Sequence, residues 1–504
     1  MNSIMEFLIA QTKRFAERTY LIDGETDEVI SFKEFNARVS KTANLLYRLG
    51  IRKNEKVSLV MENSPEYLYL FFACLIHGAV ACPISPKLAG EEVRYLLEYT
   101  GSVMVFYDDT QEKKVKGFAR LQSMSKFKQE YFKESRVYNK KWELGRDDEC
   151  IMVFTSGTTG KPKGIVLTHG NFLAHNASLF SGMGGKMNDR HLCVLPITHV
   201  AGLFMNVINA FCCGSLVVLK KGFSRSSFWS DIENYKITFV QVVPTILTML
   251  LNPKEDIRKK DISSLRFIGC ASAYLPVELI RQFEAAFPTY IVELYGLSET
   301  TCKSIINPIG KDKRKIGSIG KPMLVNEATI LDENQNELPA YSAGEIAIHG
   351  KNIMKGYYKL PEANKEVFKN SWFLTGDLGY KDKDGFFYIN GRKKEVIIKG
   401  AEKISPKEID DVLFRNENVK EAATIGVPDK IYGEEIVSFI VQVERGRASE
   451  DELKEFCKLH LAQFKCPKFI VFIDDIPKGP SGKPLRRELL EQWHKIYIES
   501  CNNK

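Results

Sequence analysis

The sequence predicts an α/β fold: a large N-terminal domain of layered α/β subdomains over residues 1–391, joined by a hinge to a small α+β domain over 392–504. Three observations carry that expectation. The chain's 504 residues exceed what one hydrophobic core serves, so two or more domains are expected. From about residue 30 to about residue 300, helical patterns alternate with short apolar runs, as parallel sheets with ligand sites at their carboxyl ends require. Past Ala340 the texture changes to short strands separated by glycine turns, and the C-terminal stretch is rich in Lys and Glu. The charged, glycine-flanked segment "INGRKKE" lies between the two textures, where a hinge can sit.

Taken in order, "SFKEFNARVSKTANLLYRLG" (31–50) spaces its apolar residues as a helix does and closes on a glycine C-cap. "KVSLVME" (56–62) reads as a buried strand and "EYLYLFFACLIHGAV" (66–80) as a core helix. "HLCVLPI" (191–197), "SLVVLK" (215–220) and "FVQVV" (239–243) repeat the strand pattern. "AGLFMNVINAFCCGSLVVL" (201–219) is nearly long enough to span a bilayer, but Asn206, Asn209 and Gly214 interrupt it. A buried helix running into a strand is the expectation there. "GEIAIHG" (344–350), "GFFYING" (385–391) and "KEVIIKG" (394–400) read as short strands.

Composition narrows the class. Hydrophobic residues at 44% and charged residues at 27% are the balance of a soluble globular protein. No basic, apolar and small-residue succession opens the chain, so no secretory signal is expected. The eleven cysteines are scattered without a CxxC pair, which predicts free thiols in a reducing cytoplasm and no zinc site. The net charge of +8 gathers at "KDKRK" (311–315) and "RKK" (392–394). No basic run interleaved with aromatics and no helix-turn-helix pattern accompanies it, so nucleic acid is not an expected partner. Phosphate-rich small molecules fit the excess, and membrane contact is expected to be peripheral at most.

The chemistry concentrates in "FTSGTTGKPKGIVLTHGNF" (154–172), where glycines, hydroxyls and lysines crowd after an apolar run. Glycine lets backbone N–H groups approach an anion, and Thr/Ser hydroxyls and two lysines add donors and charge. A Walker loop is excluded, because Thr155 stands where its first glycine belongs and Pro162 follows Lys161. On composition alone a plain polar turn stays equally open.

"TSGTTGKPKG" (155–164) resembles the signature loop of the adenylate-forming superfamily, which holds acyl-CoA synthetases, luciferases and peptide-synthetase adenylation domains. Four further motifs follow in family order: "YGLSETT" (295–301), "WFLTGD" (372–377), "GRKKEVIIKGAEKISPKEI" (391–409) and "PKGPSGKPLRREL" (477–489). The resemblance, of the fatty-acid–CoA ligase type, therefore spans nearly the whole chain. It implies that Thr155, Ser156, Gly157, Thr158, Thr159, Gly160, Lys161 and Lys163 cover the phosphates of ATP. Glu299 is implied as the Mg²⁺ ligand, with Tyr295, Gly296 and Ser298 on the adenine side and Asp377 and Arg392 on the ribose. Lys483 is implied as the catalytic lysine bridging the carboxylate and the α-phosphate, and Lys394 as the hinge. Gly400, Ala401 and Glu402 would line the thiol channel after rotation. His199, in "LPITHVAGL", would stand at the mouth of the acyl pocket. Arg486 and Arg487 are read as surface. The adenine-side loop "GCASAYLP" (269–276) departs from relatives, with Ala271 and Tyr274 replacing the common residues beside Ser272.

The implied reaction turns a carboxylic acid and ATP into an acyl-adenylate and pyrophosphate, then forms a thioester with CoA. Alternatives are loading the phosphopantetheine arm of an acyl carrier protein and a luciferase-like oxygenation. No acidic residue occurs in "HVAGLFMNVINAF" (199–211), so an amino acid's ammonium would be unpaired and is disfavoured. The apolar stretches 202–208 and 240–250 point to a fatty acyl or aryl acid.

Overall fold

The computed structural model describes residues 1–118, 120–140, 142–155, 162–251, 257–400, 402–479 and 483–502, with no side-chain description at 258 and 497–502. Two sheets dominate the first three hundred residues. One has seven strands in the order Gly356–Tyr357, Lys163–Thr168, Glu149–Thr155, Val80–Ile84, Lys56–Val60, Met104–Tyr107 and Leu121–Ser123. Its strands from Glu149–Thr155 outward to Leu121–Ser123 are parallel, while Glu149–Thr155 and Lys163–Thr168 form an antiparallel hairpin. The second sheet has nine strands, with Ile291–Tyr295, Phe267–Cys270, Phe239–Val242, Arg190–Cys193, Leu216–Leu219 and Thr19–Asp23 running parallel at its centre.

Helices fill the space between them. Pro65–His77 is apolar all round and buries twelve of its thirteen residues, which is what a helix inside a core must do. Ser64 caps its start and Gly78, at φ 81°, ends it. Its neighbour Phe32–Arg48 is amphipathic, capped by Ser31. One hydrophobic cluster takes Val57 and Ile151 from the first sheet and Val217 and Phe239 from the second, so the two sheets share a core. The 201–219 stretch is the expected buried helix and strand, with one refinement. Leu203–Ile208 is π-helical, between short α-helical turns, and Gly214 at φ 66° turns the chain into Leu216–Leu219. A side chain at Gly214 would strike the Phe15 ring at 2.5 Å. No helix among the described residues is long and apolar enough to cross a membrane.

A third, antiparallel sheet orders Asn326–Leu331, Gly344–Gly350, Trp372–Lys381 and Phe368–Lys369, with Phe387–Arg392 pairing Trp372–Lys381. A fourth is built from Ile397–Lys399, Glu402–Ile404, Val419–Asp429, Gly433–Gln442 and Phe469–Phe472. Two hydrophobic clusters, spanning Ile397 to Ile470 and Ala423 to Trp493, draw only on this C-terminal part. The fold class read from the sequence is the one observed. All ten cysteines with described side chains are unpaired.

Candidate active site

A cavity of about 1780 Å³ opens where the parallel strands of the second sheet end and the C-terminal part faces them. Its walls follow directly from the topology. Pro244 comes just after Phe239–Val242, Ala271 and Ser272 after Phe267–Cys270, and Gly296 after Ile291–Tyr295. Carboxyl ends of parallel strands are where open α/β sheets bind ligands. Ser272 holds φ 75°, and Thr301, a β-branched residue, holds φ 65°. Such backbone costs on the order of 1–3 kcal/mol per residue and persists where surrounding structure enforces it. At Thr301 the enforcement is visible: its hydroxyl donates to the Asn352 carbonyl at 2.6 Å.

Of the sequence-predicted residues, Ala271, Ser272, Tyr295, Gly296, Asp377, Arg392, Lys394 and Lys483 line this cavity. The Tyr295 hydroxyl donates to Asp377 Oδ2 at 2.6 Å, and Arg392 Nε pairs with Asp377 Oδ1 at 2.8 Å. The register makes that pair unavoidable, since Asp377 and Arg392 are direct partners across two antiparallel strands. Asp377 is only 3% exposed, and its carboxylate holds the guanidinium above its ordinary pKa. Burial, then the same carboxylate, pushes the Tyr295 phenol up.

Lys483 enters from the C-terminal part and faces this group. Burial first, then the Arg392 cation, lowers its amine to about 8, against the pull of Asp377, Glu299 and Glu395. One lysine thus feels charges from three separate segments of the chain. Glu299, in the short 3₁₀ turn Ser298–Thr300, accepts from the Tyr357 hydroxyl at 2.9 Å. Lys163 lies 4.7 Å from the Tyr357 ring centre. Thr155 and Lys163 face each other at the top of the hairpin whose connection is the signature loop. Tyr357 therefore links that loop's roots to Glu299. Of the loop itself, Ser156, Gly157, Thr158, Thr159, Gly160 and Lys161 lie outside the described residues, as does Ala401.

The remaining candidates are placed less centrally. His199 sits in the turn before Val200–Gly202, its Nε2 buried with no partner among the described residues. Burial, with Lys87 adding to it, lowers its pKa and keeps the imidazole neutral. Lys394 is exposed in the 3₁₀ turn Lys393–Glu395, two residues past the end of Phe387–Arg392. Gly400 and Glu402 belong to the hairpin of Ile397–Lys399 and Glu402–Ile404, with Gly400 at φ 59° in its turn.

Arg486 corrects the sequence reading. It is not a surface residue: it pairs with Glu395 at 3.2 Å and Asp410 at 3.0 Å and donates to the Thr424 carbonyl. The Lys483 turn is tied by it to the segment next to the hinge candidate. Arg487 remains exposed beside Glu491. Tyr274, a departure in the adenine-side loop, has a structural reason. Lys407 of Pro406–Leu413 lies 4.1 Å from its ring centre, so the aromatic holds a cation across the cavity. Lys407 also faces Glu293, whose carboxyl burial pushes up to about 8. Sequence reasoning missed Tyr357, Glu395 and the buried Lys303. Only Lys303 left a trace, a lone lysine between apolar residues in "TCKSII".

The family model for the AMP-binding enzyme matches residues 8–358, and that for the AMP-binding enzyme C-terminal domain matches 408–483. A sulfoacetate–CoA ligase of Cupriavidus necator is 33% identical over 504 residues, covering 97% of each chain. The long-chain-fatty-acid–CoA ligase FadD13 of Mycobacterium tuberculosis is 32% identical, covering 94% of this chain and 95% of its own. The crystal structure of ATP-bound MatB from Rhodopseudomonas palustris superposes with a TM-score of 0.92 at 27% identity, covering 99% of this chain and 100% of that one. The chain belongs to the AMP-binding enzyme family, the adenylate-forming superfamily whose motifs it carries from Thr155 to Lys483.

Proposed function

We propose that the protein is an ATP-dependent carboxylic acid–CoA ligase that works through an acyl-adenylate. The observation that carries this reading is Lys483, delivered by the C-terminal part into the charge field of Arg392, Asp377 and Glu299. A carboxylate is a poor electrophile because its leaving group would be oxide. Attack of the acid's oxygen on the α-phosphorus of ATP breaks the bond to pyrophosphate and creates a mixed anhydride with AMP as a competent leaving group. Negative charge on phosphate oxygens must be met by positioned cations and N–H donors. Lys483 supplies a point charge there, and Thr155, Lys163 and the loop between them supply the rest. Asp377 and Arg392 take the ribose hydroxyls, and the Tyr295 ring takes the adenine. His199, neutral and with Nε2 unpartnered among the described residues, borders the acid.

Mg²⁺ fits this site as a companion of the nucleotide. Among the described residues no cluster of three His, Cys, Asp or Glu side chains could hold a metal alone. Magnesium commonly takes one or two carboxylates plus substrate phosphates, and Glu299 is the carboxylate in place. When bound, it would neutralise phosphate charge.

The second step needs a thiol where Lys483 stands. We assign residues 1–391 and 392–504 to two bodies that rotate about Lys394, supported by the separate C-terminal core and by the exposed turn at the join. Rotation withdraws Lys483 and brings Gly400 to Glu402 to the cavity. Lys394→Pro is expected to spare pyrophosphate release and to cut CoA thioester formation about tenfold or more, as hinge substitutions alter turnover. Equal thioester output from variant and wild type would remove the hinge.

Two readings of the acid remain. The apolar runs at 202–208 and 240–250 favour a fatty acid, in keeping with the substrate named for FadD13. The sulfoacetate–CoA ligase is named for a short acid with a second anionic group. Pyrophosphate release over fatty, aryl, short diacid and amino acids, with CoA and a phosphopantetheinylated carrier protein compared as acceptors, tests the whole proposal. Failure to convert ATP to AMP with any acid would end it.

A further inference from the structure

Lys303 is 2% exposed, yet no carboxylate or carbonyl among the described residues partners its amine. Its surroundings are Cys302, Cys270 and His175, none of them an anion at neutral pH. The first two thiols are pushed up by burial, and the His175 ring nitrogen is occupied by accepting the Lys303 backbone N–H at 3.1 Å. The His175 imidazole itself is held neutral, its pKa lowered to about 4 by burial and by this lysine. A lysine is rarely buried without a countercharge, and among the described residues none stands beside this one.

The lysine's backbone stands directly behind the cavity wall. A Cβ placed on Gly296, a cavity-wall residue, would come within 2.6 Å of Lys303 Cα. Next to it, Ser304 donates its N–H to the Tyr295 carbonyl, and Cys302 Sγ donates to the Val200 carbonyl in the His199 turn. Cys270, on its other side, is the last residue before Ala271 and Ser272. Lys303 is therefore bracketed by the adenine-side loop, the Tyr295–Glu299 turn and the His199 turn. A second observation falls in the same neighbourhood. The π-helical segment that lays Phe204 against the His175 ring, 5.3 Å between centres, also carries Asn206, fully buried beside the Cys193 thiol and with no hydrogen-bond partner of its amide among the described residues. π-Helical turns occur disproportionately at functional sites.

We propose that Lys303 is a specificity-determining residue, and that the acid activated here is a short carboxylic acid bearing a second anionic group, carboxylate or sulfonate, which pairs with the Lys303 ammonium. The inference rests on the ligase reading above and names its substrate class. Proximity to Gly296 limits the length, because a lysine one layer behind the wall meets only a group a few carbons from the reacting carboxyl. A long hydrocarbon would leave the ammonium and Asn206 buried and unmatched. Burial lowers the amine's pKa, and a bound anion would favour its charged form.

The test compares matched pairs by pyrophosphate release and CoA thioester formation: malonate against butyrate, sulfoacetate against propionate, with palmitate alongside. The wild-type enzyme is expected to favour the dianionic member by on the order of a hundredfold or more in kcat/KM, the discrimination that a site with an otherwise unpaired polar group achieves. Preference between malonate and sulfoacetate identifies which anion the lysine takes. Lys303→Met is expected to erase that preference and to accept the uncharged partners, while Lys303→Arg keeps part of it. Wild-type preference should weaken as pH rises, since the neutral amine has no charge to offer. ATP titration of each variant checks that the nucleotide site is intact. Wild-type turnover of palmitate or the uncharged acids in preference to the diacids overturns the assignment while the ligase reading stands, and so does an unchanged ratio in Lys303→Met. No pyrophosphate from any acid overturns both.

Discussion

Lys483→Ala is expected to lower acyl-adenylate formation by about 10²–10³-fold, the loss seen when one positioned donor to a developing oxyanion is removed. Thioester formation from supplied acyl-AMP should be nearly unchanged, because Lys483 withdraws before the thiol arrives. The contrast between the two half-reactions is the decisive reading, and equal loss in both would assign the lysine a merely structural place. A pH dependence accompanies it. With its amine lowered to about 8, Lys483 is charged below that pH and neutral above it. The enzyme's kcat/KM for ATP should therefore be full on the acid side and fall as pH rises through about 8, the profile of kcat/KM reporting groups in the free enzyme. The residual activity of Lys483→Arg should lack that alkaline limb, since a guanidinium stays protonated throughout.

Gly296→Ala carries the second large effect, through backbone contact. An added Cβ would lie 1.9 Å from the Cys302 carbonyl oxygen and 2.6 Å from Lys303 Cα, and neither atom is the end of a flexible side chain. The turn joining Tyr295 to Glu299 must move apart from the segment behind it. Such overpacking costs about 1–3 kcal/mol or more, and here the displacement falls on the cavity wall. Loss of ATP affinity exceeding the loss of stability is the expected outcome, read by nucleotide titration beside thermal unfolding. Wild-type affinity in the variant would mean that the wall yields without consequence.

Much of this protein is legible along the chain. Alternation of helical and strand periods announced the layered α/β architecture, because each element must turn one apolar face to a shared core. The 201–219 stretch could be kept out of the membrane by Asn206, Asn209 and Gly214 alone. Five motifs in order marked the family, since glycines, hydroxyls and lone charges are needed at set places to handle a nucleotide. Those signals are local, and local signals survive in a linear text.

What folding alone decides is which distant groups meet. The pairing of Asp377 with Arg392 depends on strand register, and Arg486 joins Glu395 and Asp410 only once the C-terminal sheet exists. The apolar look of 202–208 and 240–250 pointed to a hydrocarbon, yet the buried lysine next to His175, against which Phe204 packs, comes from position 303 and is invisible in either run. Burial and electrostatics belong to three-dimensional neighbourhoods. A lysine in sequence is a surface residue by default, and only the packing around Lys303 and Lys483 buries the one among thiols and a histidine and sets the other against Asp377, Glu299 and Arg392.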